Sequence, residues 1–213
     1  DTDRSRGLGD VYKRQDLAMV GALGASALAS VGIMGQPEMV MLIFCRALSI
    51  AVTAIIARRH GEDEVDGMNA VLKQSILLNF LIYAPLLAIC FFNLEHILRF
   101  TGAEDGYIET AVWYGRFVVI SLIFQSFSQI VGAALIGYGN TKVIFKSNVV
   151  GNILNTIMNF FLIYGIGFFP ELGVMGAGVS TLISSAVIAL LLLRTISQHT
   201  TTGLTLRHPS KWK

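Results

Sequence analysis

Four asparagines, Asn148, Asn152, Asn155 and Asn159, punctuate an otherwise apolar stretch at steps of four, three and four. At about 100° per residue, their amides fall within roughly 60° of one helical face. The surrounding segment, 147–170, holds no charged residue and is long enough to cross a bilayer. An amide facing hydrocarbon is costly unless it is hydrogen-bonded. This face must therefore meet either partner helices, with the amides as interhelical glue, or a water-filled cavity. The solute pathway is the stronger reading. Ser121, Gln125, Ser128, Gln129 and Gly132 form a second polar face, and Gly176, Ser180 and Ser184 a third at steps of four, with Thr181 beside them. Small-xxx-small spacing fits close helix packing for the third, whereas Gln125 and Gln129 are harder to read as packing. Three such faces can enclose one hydrated cleft, with Asn148, Asn152, Gln125 and Gln129 as candidates for its wall. Gln36, beside Pro37, and Arg46 are further candidates. A mid-span arginine costs about 2.5–3.5 kcal/mol on the mildest insertion scale, so Arg46 needs water, carbonyls or a counter-ion. Glu38, two turns back, could supply one. The acid that could do proton chemistry is Asp16, because a buried carboxylate can take up and release a proton near physiological pH. The plainer alternative is a juxtamembrane acid.

The elements that would position these groups are membrane spans. Of 213 residues, 54% are hydrophobic and 14% charged, with a mean hydropathy of +0.63, against about 25% charged in soluble domains. Charge-free runs cover 17–37, 47–57, 74–94, 117–141, 147–170 and 172–193. Lipid requires the backbone to satisfy its own hydrogen bonds, so these runs predict an all-α polytopic bundle. The apolar stretch 25–57 would be close to 50 Å long as a helix, more than a bilayer core of about 30 Å. It predicts either one helix bent at Pro37, the favoured reading, or two spans turning at Gln36–Glu38. Net charge is only +2, but its placement alternates. Arg58, Arg59, Lys142, Lys146, Arg194, Arg207, Lys211 and Lys213 fall in alternate loops, and the opposite loops hold mainly Arg99, with Arg116 near a helix end. The positive-inside rule predicts that loops 58–70 and 138–146 and the C-terminus are cytoplasmic. Cys45 and Cys90 read as core thiols. His60, His96, His199 and His208 all lie outside mid-span. With no catalytic triad, metal cluster or phosphate loop, the sequence argues against an enzyme. Residues 1–15 are polar and without period and read as a non-native segment.

Several stretches, taken in order, resemble the multidrug and toxic compound extrusion (MATE) family. Asp16–Gly24 followed by Ala27–Gly32 resembles the end of that family's first helix and the start of its second. Ala57–Glu62 resembles the loop after helix two, and Gly137–Lys142 the loop after helix four. Asn155, Asn159 and Leu162–Gly165, then Leu172–Gly178, resemble helix five entering helix six. The resemblance covers about 16–195. It implies the six-helix N-terminal lobe of a twelve-helix antiporter, with the first helix truncated and 196–213 a cytoplasmic linker. It implies export of organic cations in exchange for H⁺ or Na⁺ across the inner membrane, with no cofactor beyond that ion. The implied partners are the bilayer, a small organic cation and a C-terminal lobe; no nucleic acid is expected. The family's coupling site pairs an acid on helix one with Asn and Asp on helix five. Asp16 and Asn155 match; Asn159 stands where many members have Asp, and Thr181 matches a residue of helix six. The role of Arg46 does not carry over. The rival readings are a lipid-linked oligosaccharide flippase and a non-transporting assembly subunit whose polar faces are closed.

Overall fold

A computed structural model describes residues 19–167, 169–198 and 204–206. Helical residues 19–21 are followed by seven helices, and there is no strand among the described residues: α1 (Ala25–Gly32), α2 (Gly35–Gly61), α3 (Val65–Phe92), α4 (Leu94–Phe100), α5 (Ile108–Gly137), α6 (Thr141–Tyr164) and α7 (Val174–Ser197). This is the all-α polytopic bundle expected from the apolar runs. Four stretches, Ala25–Gly61, Val65–Phe92, Ile108–Gly137 and Val174–Ser197, are long and apolar enough to cross a membrane. α6, at 24 residues, is as long as α7, but its asparagines and two lysines dilute its hydropathy.

The long apolar stretch is one bent span, α1 running into α2 across a turn at Ile33–Met34. Pro37 has no N–H for the Ile33 carbonyl, and its ring crowds that oxygen, so the ladder breaks one turn earlier. Met34 N bonds Val31 O at 3.3 Å in a tightened turn, and regular bonding resumes with Glu38 N to Met34 O at 3.0 Å. Ile33 and Met34 both keep right-handed helical dihedrals. The axis thus bends without reversing. Arg58, Arg59 and His60 fill the last turn of α2, where cations oppose the negative end of the helix dipole.

α5 is the central helix, packed against α2, α3, α4 and α7. Two apolar clusters flank its midpoint. One gathers Met34, Leu42, Leu87, Leu94, Leu98 and Leu122 at the end carrying the 101–107 loop. The other gathers Ile56, Met68, Leu72, Leu135, Leu192 and Ile196 at the opposite end. Leu204 joins the second cluster, fully buried. Its segment is fixed by Thr205 N to Asn69 Oδ1 at 2.7 Å and Leu206 N to Ile196 O at 3.3 Å. The 196–213 stretch read as a linker therefore includes three residues docked on the bundle.

α6 and α7 are antiparallel and closely packed, which the small residues of α7 permit. A Cβ on Gly176 would lie 2.6 Å from the Leu162 carbonyl oxygen. Gly165 ends α6 in the left-handed conformation at φ 63°, the region glycine enters without penalty.

Candidate functional site

The α6–α7 register converts the asparagine row into two different environments. At the end near Gly165, the row is sealed by serines of α7. Asn159, fully buried, receives a hydrogen bond from the Ser180 hydroxyl and donates through Nδ2 to Asn155 Oδ1 at 3.2 Å. Asn155 donates through Nδ2 to Ser184 Oγ at 3.3 Å. Thr181 Oγ1 bonds its own helix at Ala177 O, 2.9 Å away. Facing pairs 159/180 and 155/184 are rungs of one antiparallel ladder. The serines need their i, i+4 spacing because the asparagines run at i, i+4 opposite them.

At the other end the row opens. A cavity of about 1040 Å³ lies between α2, α5, α6 and α7, with Asn148, Asn152, Gln125 and Gln129 in its wall. Asn155, Thr181 and Ser184 form its boundary with the sealed ladder. Asn148, Asn152 and Gln129 are partly exposed to this space, while Gln125 Nε2 is steadied by Ser121 Oγ at 3.0 Å. Ser128 Oγ, on a lining residue, is buried without a protein hydrogen-bond partner among the described residues. A buried hydroxyl left unpaired costs about 1–3 kcal/mol, so water or a solute is the natural complement of this wall. Glu38 brings a carboxylate to the lining. The α2 wall, Ser49 and Thr53 with Ala57, was not singled out in the sequence; its signal is the i, i+4, i+8 spacing of small and hydroxyl residues.

The sequence-derived cavity set is only partly gathered. Gln125, Gln129, Asn148 and Asn152 come together, but Gln36 and Arg46 are exposed and lie outside the cavity. Pro37 is buried against the core, so its neighbour Gln36, about 100° around the helix, turns away. Arg46 shares a helical face with Ser49 and Thr53 yet is exposed and does not line the cavity. Among the coupling candidates, Asn155, Asn159 and Thr181 cluster between α6 and α7, while Asp16 lies outside the described residues. The site offers neutral amide and hydroxyl dipoles with one carboxylate, groups that can solvate and orient a polar or positively charged solute.

Known proteins match this chain in sequence and in fold. The family model described as MatE matches residues 11–161. "Multidrug resistance protein NorM" of Vibrio cholerae is 27% identical over 178 residues, 84% of this chain and 39% of that protein. A structure titled as the outward-facing conformation of a multidrug resistance MATE family transporter of the MOP superfamily superposes with TM-score 0.85 at 26% identity, covering 97% of this chain and 46% of the other. The inward-facing conformation titled in the same way gives TM-score 0.83 at 25% identity, over 92% and 43%. The chain thus spans under half the length of the proteins it matches.

Proposed function

The chain belongs to the MATE family, and from that premise we propose that it forms the N-terminal lobe of a cation-coupled antiporter that exports organic cations across the inner membrane. The family is one of multidrug efflux transporters, and the apolar helices suit a membrane. In this reading Asp16 takes up the coupling ion together with Asn155, Asn159 and Thr181. Gln125, Gln129, Asn148 and Asn152 solvate the passenger, and Glu38 favours a positive one. With Asn159 an amide, one titratable group fewer is available on helix five, so the coupling rests on Asp16. The observation that carries the proposal is that the sealed Asn155–Asn159–Ser180–Ser184 ladder ends on the wall of the amide-lined cavity. An ion that rearranges the ladder alters the wall. Binding of ion and passenger to different access states then drives exchange. The cavity also weighs against a non-transporting subunit, whose polar faces would close on each other.

The test uses the intact transporter. Asp16→Asn is expected to abolish drug resistance and drug-dependent ion release in vesicles while expression stays normal. Resistance at the wild-type level in that variant removes Asp16 from the mechanism.

A further inference from the structure

We propose that the cleft between α4 and α5 is a lipid-headgroup site for a phospholipid carrying both a phosphate and a primary amine. This cleft, of about 330 Å³, is lined by Glu95, Ile108, Glu109, Val112, Trp113 and Arg116, none of which serves the transport cavity. Its distinctive group is Arg116. The guanidinium lies 5.0 Å from the Trp113 ring centroid and 5.7 Å from that of Phe91, and its Nε is buried without a hydrogen-bond partner. Neither carboxylate of the cleft pairs with it among the described residues; Glu95 instead bonds Arg99 Nε at 3.0 Å. A guanidinium held by two aromatic faces and left without an anion is oriented to receive one, and its planar fork suits a phosphate.

The location selects a lipid. α5 has 30 residues, about 45 Å of helix against a hydrocarbon core of about 30 Å. Arg116 is about 12 Å from the start of α5, and a long side chain on a helix points back toward that start. The guanidinium thus sits at the headgroup boundary. Trp113 is 46% exposed, Phe92 83% and Phe100 93%, an aromatic belt of the kind that lies at that depth. Glu109 and Glu95 then decide which headgroup. They repel a purely anionic one, and they attract an ammonium that can donate hydrogen bonds. Phosphatidylethanolamine supplies the phosphate for Arg116 and three N–H donors for the carboxylates. The quaternary amine of phosphatidylcholine has no donor. This assignment does not depend on the transport reading.

The test titrates the delipidated protein with phosphatidylethanolamine, phosphatidylcholine and phosphatidylglycerol of identical acyl chains and counts bound lipids by native mass spectrometry. Phosphatidylethanolamine is expected to exceed each of the others by about fivefold, the scale of one partly exposed charge contact. Arg116→Gln should lower the counts of all three lipids, because each carries the phosphate, and Arg116→Lys should retain part of that binding. Glu109→Gln, at an exposed position that should not disturb folding, should reduce phosphatidylethanolamine to the phosphatidylcholine level. Equal counts of the three lipids on the wild type overturn the proposal, as does wild-type lipid binding by Arg116→Gln or a preference that survives Glu109→Gln. Displacement of the lipid by an equal concentration of soluble phosphoethanolamine overturns the lipid assignment in favour of a water-borne ligand.

Discussion

Asn79 and Asn152 are the same residue in the middle of two membrane-length helices, and they sit in opposite settings. Asn79, on α3, is buried against α5 and donates to Ser126 Oγ at 3.1 Å. Around it Tyr83 donates to the Met41 carbonyl, and Cys45 Sγ approaches Ser126 O at 3.6 Å, so α2, α3 and α5 are stitched together at mid-depth. Asn152, on α6, looks into the cavity with no protein hydrogen bond to its side chain among the described residues. An intramembrane amide is therefore not functional by composition. It becomes structural when a small or hydroxyl residue of a neighbouring helix comes within reach, and available when none does. The asparagine row contains both cases, with the crossover at Asn155.

The sharpest way to break this contrast is to force α6 and α7 apart at the sealed end. Gly176→Val places a methyl-bearing carbon against the Leu162 backbone. It should cost about 3 kcal/mol, the upper range for overpacking, measured by detergent-induced unfolding in micelles. Asn159→Leu should cost about 2 kcal/mol by the same assay, because it removes two hydrogen bonds from a fully buried site, those to Ser180 and Asn155, although Ser180 keeps its bond to Ala177 O. Asn79→Leu should cost about 1 kcal/mol or less. It removes one interhelical bond of a modest class, while Ser126 keeps its bond to Ile123 O and an unpaired Asn79 Oδ1 disappears with the side chain. Asn152→Leu should change stability by less than about 0.5 kcal/mol yet impair transport by the intact protein, scored as drug accumulation. If Asn152→Leu destabilises as much as Asn159→Leu, the open and sealed ends are not distinct and the contrast fails.

Much of the architecture was readable as periodicity. The apolar runs set out the spans, and Pro37 placed the bend because its physics acts on a known neighbour, the carbonyl four residues back. The four-three-four steps gave the face of α6 but could not divide it. That division comes from α7, whose serines meet Asn155 and Asn159 in the antiparallel register held by Leu172 N to Leu162 O at 2.9 Å and the close approach of Gly176 to Leu162. Gln36 and Arg46 failed to join the cavity for a related reason. Helical azimuth says which way a side chain leaves the axis and says nothing about whether another helix encloses the space it enters. The Asn79–Tyr83–Cys45 stitch was not foreseen, since a lone Asn and a lone Tyr in an apolar run carry no spacing signal. The buried Leu204 was equally hidden, as an isolated apolar residue in a polar tail.

The docked segment at 204–206 has a mechanical consequence. Its two backbone N–H bonds reach Asn69 of α3 and Ile196 of α7, residues more than a hundred positions apart in the chain. A pull on the polypeptide beyond 206 is therefore not taken up by the end of α7 alone. It is shared between a pair of distant helices, so the bundle answers tension from that side as a single body.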